Sequence, residues 1–182
     1  MVHTKAATRY AKSLIDLSVE QNALENLKND MVLFRKVVDE NPQLEAILQN
    51  PIVPLDKKRG ILSATFDSLV HDITKSFFKL IVSKGRSAIL FEVSRQFIKQ
   101  YNALKGIMTA SVKSATPLTE ANLVSIVEVV KRELGANEVI IDSKVDPSLI
   151  GGLIIKVGDK QFDASISGKL NKLKKQFAGS AA

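Results

Sequence analysis

Residues Gly106-Ile107-Met108-Thr109-Ala110-Ser111-Val112-Lys113 break the rhythm of everything before them. Ile107, Thr109, Ser111 and Lys113 alternate with Met108, Ala110 and Val112, and a period of two is that of a strand with two unlike faces. Upstream, apolar residues recur instead at spacings of three and four. A domain boundary is therefore expected at Gly106, with residues 1–105 forming a six-helix bundle and residues 106–182 a small α/β domain, α+β overall.

Working back from that boundary, Ser87 to about Leu104 fits one helix through Leu90, Val93, Phe97, Ile98 and Tyr101. Lys84-Gly85 closes the helix before it, about Leu69 to Ser83, because glycine takes the left-handed cap at no steric cost. Pro54 restarts the chain ahead of Leu55 to Phe66, and Asn50-Pro51 closes a short piece, Gln43 to Gln49. Ala23 to Glu40 carries Leu24, Leu27, Met31, Phe34 and Val38 in helical register and stops at Asn41-Pro42. The first helix covers Thr4 to about Gln21.

Working forward, Thr119-Glu120 opens a helix through Leu123, Ile126, Val127, Val130 and Leu134 that Gly135 stops. Glu138 to Val145 is a second strand, and Asp146-Pro147 turns the chain. Gly151 to Val157 is a dense β-branched strand, and Gly158-Asp159 is a two-residue hairpin signal that returns Lys160 to Phe162 alongside it. Ser165 to Phe177 closes the fold as a helix with Ile166, Leu170, Leu173 and Phe177 at helical spacing.

Composition excludes several classes. The 182 residues are 45% hydrophobic, enough to bury a core, and contain no cysteine, so disulfides, thiolate metal sites and cysteine nucleophiles are ruled out. Lys79 and Lys84 break up even the densest apolar stretch, around Phe77 to Val82, so no run reaches the roughly 20 apolar residues of a membrane-spanning helix. Met1 to Tyr10 lacks a signal core or transit-peptide character, and the chain is expected to stay in the compartment where it is made. The net charge of +7 invites a nucleic-acid reading. Yet the basic runs, Lys57-Lys58-Arg59 and Lys172 with Lys174 and Lys175, are short and read as solvated helix faces, and two Tyr with no Trp offer bases little to stack on.

Catalysis has no visible apparatus. His3 and His71 are far apart and outside any metal-ligand spacing, so both read as exposed or capping residues. Gly151-Gly152 precedes a strand, whereas phosphate-cradling loops follow a strand and open a helix; backbone strain at a strand entry accounts for the pair. Asp142, Asp146, Asp159 and Asp163 do not match a calcium loop and read as turn chemistry. No catalytic, cofactor-binding or metal-binding residue is assigned. A small enzyme with a cryptic pocket would need convergent polar groups that no spacing predicts.

The first and fifth helices instead carry more apolar surface than one core-facing stripe requires. On the fifth, Ile73, Phe77, Leu80 and Ile81 together with Phe78 and Val82 cover more than half the circumference; on the first, Tyr10, Ser13 and Leu17 form a row distinct from Ala7, Ala11, Leu14 and Ser18. Full burial at the centre of the bundle and a groove for a partner's amphipathic helix fit this periodicity equally.

Four segments carry a resemblance: Thr8-Arg9-Tyr10-Ala11-Lys12-Ser13-Leu14, Leu48-Gln49-Asn50-Pro51-Ile52-Val53-Pro54, Leu80-Ile81-Val82-Ser83-Lys84-Gly85-Arg86, and the run Val145 to Lys160 with Asp163 to Leu170 after it. In order, and over essentially the whole chain, they resemble the delta subunit of F-type ATP synthases, whose mitochondrial relative is the oligomycin-sensitivity-conferring protein. The resemblance implies a six-helix bundle followed by a smaller α/β domain. It also implies a non-catalytic stator subunit that ties the catalytic head to the peripheral stalk, without cofactor. It further implies a groove between helices one and five for the N-terminal helix of an alpha subunit, carried onto Tyr10, Ser13, Leu17, Phe77, Leu80 and Lys84. The C-terminal domain would meet the b subunits of the stalk, with Leu170, Leu173 and Phe177 as candidates beside the basic Lys172, Lys174 and Lys175; packing of that row on the sheet is the alternative. The expected location is the cytoplasmic face of a bacterial inner membrane, reached only through the complex and with no nucleic acid involved. Without the resemblance, the rival is a basic nucleic-acid-binding adaptor, marked by a continuous basic face and salt-steep affinity.

Overall fold

The computed structural model describes residues 2–170, without the side chains of Val2 and His3, and divides the chain into two compact units that meet between Asn102 and Ala103. The first unit holds α1 (Val2–Glu20), α2 (Leu24–Glu40), α3 (Pro42–Gln49), α4 (Leu55–Phe66), α5 (Asp72–Ser83) and a single 3-10 turn (Ser87–Ile89) that runs into α6 (Leu90–Lys105), whose last three residues fall in the second unit.

Helix starts follow local chemistry. Pro42 takes the first turn of α3, where its missing N–H costs nothing. α5 begins at Asp72, not near Leu69, because Val70 is still bonded back to Phe66 and the new helix is capped from a distance. One Asp30 carboxylate oxygen accepts from the His71 backbone N–H at 2.9 Å and from the Thr74 hydroxyl at 2.6 Å, while His71 Nδ1 accepts from the Ile73 N–H. His71 is thus a cap.

The core of this unit gathers one stripe from each helix. Phe34, Phe66 and Phe78 pack with ring centroids 5.1–5.8 Å apart, and Leu27, Met31, Ile81, Val82, Leu90, Val93 and Phe97 are buried in the same unit. The basic run at 57–59 is not uniformly solvated as expected. Lys58 is 4% exposed, its ammonium donating to the Leu48 carbonyl at 2.9 Å and to the Ser87 hydroxyl at 3.0 Å, and Ser87 in turn donates to Leu48 at 2.7 Å. An ammonium out of water needs such acceptors. Ser87, committed to that cluster, sits in the 3-10 turn rather than in a continuous α6.

The second unit is a four-stranded sheet in the order β2-β1-β3-β4. β1 (Ile107–Ser114) pairs parallel with β2 (Glu138–Val145) through the crossover helix α7 (Glu120–Leu134), and antiparallel with β3 (Leu153–Val157), which forms a hairpin with β4 (Lys160–Asp163). The Thr119 hydroxyl accepts from the Asn122 N–H to start α7, and Gly135, at φ +67°, ends it in the left-handed region. Ala110, Val112, Ile155 and Val157 point to the face that α7 covers with Ile126 and Val130, whereas Thr109 and Lys113 point away and are exposed.

β3 starts two residues later than the sequence predicts. Gly152 sits at φ +82° and a Cβ there would lie 2.4 Å from the Ala164 carbonyl oxygen, so the glycine is required by a close backbone crossing. Asp146 Oδ1 accepts from the Ser148 N–H and hydroxyl, and Asp163 Oδ1 accepts from the same two groups of Ser165, so two of the four aspartates flagged in the sequence are turn closers. The closing helix is described over 166–170, with the Ser165 hydroxyl accepting from the Gly168 N–H. The predicted positions Lys172, Leu173, Lys174, Lys175 and Phe177 lie outside the described residues.

Candidate helix-docking groove

Two rows run along α1. Ala7, Ala11, Leu14 and Ser18 are at most 2% exposed and face the bundle. The row Tyr10, Ser13, Leu17 lies at the same three- and four-residue spacing but one step round the helix, and Leu17 is 38% exposed.

α5 resolves its surplus the same way. Phe78, Ile81 and Val82 are buried on the core side, while Ile73, Phe77 and Leu80 form a second row in which Leu80 is 49% exposed. The two outward rows face each other across a groove of about 600 Å³, lined by Tyr10, Ser13, Leu17, Ile73, Phe77 and Leu80, with Leu14 beneath and Gln21, Asp72 and Ser76 at its edge. Phe77 forms the floor: it is 9% exposed and its ring meets that of Tyr10 edge-on, centroids 6.3 Å apart. The groove is a lengthwise trough with apolar walls and a few hydroxyls, which is what an amphipathic helix needs and what a small polar substrate does not.

The end of α5 shapes one end of the trough. Gly85, at φ +66°, donates to the Val82 carbonyl and Arg86 donates to that of Ile81, the paired bonds of a Schellman cap. The chain reversal this imposes carries Arg86 back over α1, where its Nη1 donates to the Tyr10 hydroxyl at 2.6 Å and its guanidinium lies 5.7 Å from the Tyr10 ring centroid.

The structure therefore brings five of the sequence-predicted residues together: Tyr10, Ser13, Leu17, Phe77 and Leu80. Lys84, predicted with them, is the exposed C-cap of α5 and stands outside the lining. Leu170, in the other unit, is 55% exposed, four residues after Ile166, itself 45% exposed. Not picked out as site residues from the sequence were Ser76, Gln21 and Asp72, which read as ordinary helix positions, Ile73, which belongs to the apolar surplus of the fifth helix without being singled out, and Arg86. For Arg86 a signal existed, because a glycine in the left-handed cap redirects whatever follows it.

One close ion pair stands at the groove edge. The Lys75 ammonium, 2.7 Å from Asp72, holds that carboxyl below the usual aspartate range by hydrogen bonding and charge, and Asp72 raises Lys75 in return. Among the described residues no cluster of His, Asp or Glu is arranged to hold a metal ion, and no helix is long and apolar enough to cross a membrane.

Comparison with known proteins bears on the whole chain. The family model described as "ATP synthase delta (OSCP) subunit" matches residues 6–177. ATP synthase subunit delta of Cytophaga hutchinsonii is 38% identical, covering 97% of this chain and 96% of its own; that of Flavobacterium psychrophilum is 33% identical over 98% and 99%. The Bacillus subtilis subunit delta is 30% identical over 98% of both chains. A chain in the cryo-EM structure of the Toxoplasma gondii mitochondrial ATP synthase hexamer shares the fold at a TM-score of 0.75, with 17% identity over 94% of this chain and 97% of that one.

Proposed function

This chain belongs to the ATP synthase delta (OSCP) subunit family, making it a non-catalytic stator subunit of the F-type ATP synthase, and from that premise we propose which surfaces carry the connection. The trough between α1 and α5 receives the N-terminal helix of an alpha subunit of the catalytic head. One observation supports this most: Leu17 and Leu80 stand half-exposed on opposite walls of a 600 Å³ apolar groove whose floor is Phe77. Tyr10 and Ser13 supply polar atoms along the same wall, and Lys84 lies just beyond the trough as a charged flank.

The second unit meets the b subunits of the peripheral stalk. Ile166 and Leu170, exposed and one helical turn apart, support a helix–helix contact there, to which Leu173 and Phe177 would add the next turns. The chain is peripheral to the membrane, on the cytoplasmic face of a bacterial inner membrane, and reaches it through the complex. As a stator link it resists rotation of the catalytic head; the work is binding, and no step of the reaction is routed through its side chains.

Calorimetric titration of the full chain with a peptide from the alpha-subunit N-terminus of the same organism tests the groove. Saturable one-to-one binding with a negative heat-capacity change is expected, since apolar area leaves water. Absence of binding at moderate salt would remove the reading.

A further inference from the structure

The rim of the groove is charged in sequence. On α1 the residues Lys5, Arg9, Lys12, Asp16 and Glu20, spaced four, three, four and four apart, share one face about 100° round the helix from the lining row. All five are exposed, and none forms an ion pair with another described residue. Three cations are followed by two anions, so the stripe changes sign along its length.

The opposite wall repeats the order. Tyr10, in the N-terminal half of α1, meets Arg86 after the C-terminus of α5, so the two walls run antiparallel. Lys84 and Arg86 therefore add positive charge at the end that already holds Lys5, Arg9 and Lys12, and Asp72, at the start of α5, adds a carboxylate at the end that holds Asp16 and Glu20. Lys75 shares the Asp72 charge, but it and Lys79 line the small cleft with Arg59 on the α4 side of α5. The trough is basic at one end and acidic at the other.

We propose that the groove selects its helix by charge order: the ligand carries acidic flanking residues in the half that lies against Lys5, Arg9, Lys12 and Arg86, and basic ones in the half that lies against Asp16, Glu20 and Asp72. The apolar row gives area without register, since one helical turn of sliding replaces each anchor by the next. Flanking charges set register and discriminate between partners, as they do beside a coiled-coil seam. This inference rests on the helix-docking reading and adds polarity to it.

The test uses the full chain and three peptides of about 20 residues with one leucine row in common. The first is flanked by Glu in one half and Lys in the other, the second by Glu throughout, the third by Lys throughout. At low ionic strength the mixed peptide is expected to bind about tenfold tighter than either uniform one, a margin that collapses at roughly 1 M salt, where charges beyond about 3 Å are screened. A nitroxide at its Glu end should broaden the amide signals of residues 5–12 and 84–86, sparing 16–20 and 72. In the variant carrying Lys5→Glu, Arg9→Glu, Lys12→Glu, Asp16→Lys and Glu20→Lys, all at exposed positions, the broadening should move toward the other end. Equal affinities, or broadening of both ends alike, would overturn the charge-order rule and leave the docking groove standing. No binding of any peptide would fell the docking reading itself, and self-association abolished by Leu80→Asp would assign the groove to a second copy of the chain.

Discussion

Leu80 and Phe77 sit three residues apart on one helix face and differ in what they answer to. Leu80 is 49% exposed and contributes little to the bundle, so Leu80→Asp is expected to leave the circular-dichroism melt within a few degrees of the parent while weakening alpha-peptide binding at least about tenfold, because a carboxylate must then be desolvated in an apolar trough. Phe77→Ala removes the floor and is expected to lower stability by about 3 kcal/mol as well as binding. Periodicity marked both residues and could not rank them, since exposure depends on which helices lie alongside. Lys58 was illegible for a similar reason: its acceptors, Leu48 and Ser87, stand 10 and 29 residues away, and nothing in a basic tripeptide says which member turns inward. Asp146 gives a pH signature at the same scale. The Ser148 hydroxyl and N–H, and then Lys113, hold its carboxyl below the usual aspartate range. A carboxylate favoured in the folded state contributes stability that is fully present above its unfolded pKa and is lost as pH falls through its lower folded value. Melting temperatures measured downward from pH 5 should therefore fall more steeply for the parent than for Asp146→Asn; parallel curves would show that the turn does not depend on the charge.

Among the elements, the glycine-bearing junctions separate strain from crowding. Gly85 has φ +66° with open space where a Cβ would go, so Gly85→Ala is expected to cost only the left-handed penalty of about 1 kcal/mol in urea unfolding. Gly152 combines φ +82° with a would-be Cβ 2.4 Å from the Ala164 carbonyl oxygen and 2.9 Å from Ser165 Cα, both backbone, so Gly152→Ala is expected to cost roughly 2–4 kcal/mol and to loosen the β3–β4 hairpin. Element identity was largely written in the chain: the change of period at Gly106, the Thr119 and Gly135 caps and the Gly158-Asp159 turn are local signals, and local chemistry decides them. Element ends were not. α5 starts at Asp72 because Asp30, 41 residues upstream of His71, caps it, and the 3-10 turn before α6 exists because Ser87 serves a distant lysine. Tertiary partners override propensity at such places.

Across the whole molecule, each unit closes a core of its own, the bundle around Phe34, Phe66 and Phe78 and the sheet unit around Val112, Val130 and Ile155. A fragment of residues 1–105 is therefore expected to melt cooperatively and to bind the alpha peptide within about threefold of the full chain, as independent domains do; loss of helical signal in the fragment would show that the bundle leans on the rest of the chain. Occupancy of the proposed groove would also bear on how stable the subunit is. A vacant trough leaves Leu17 and Leu80 half in water, whereas a ligand present at about a hundred times its dissociation constant adds about 2.7 kcal/mol to the folded state. On the proposed docking, a copy without its partner would lack that increment, and limited proteolysis of the full chain should slow when the alpha peptide is added. Unpartnered copies would then open more often than assembled ones, so that surplus chains would be the ones exposed to turnover.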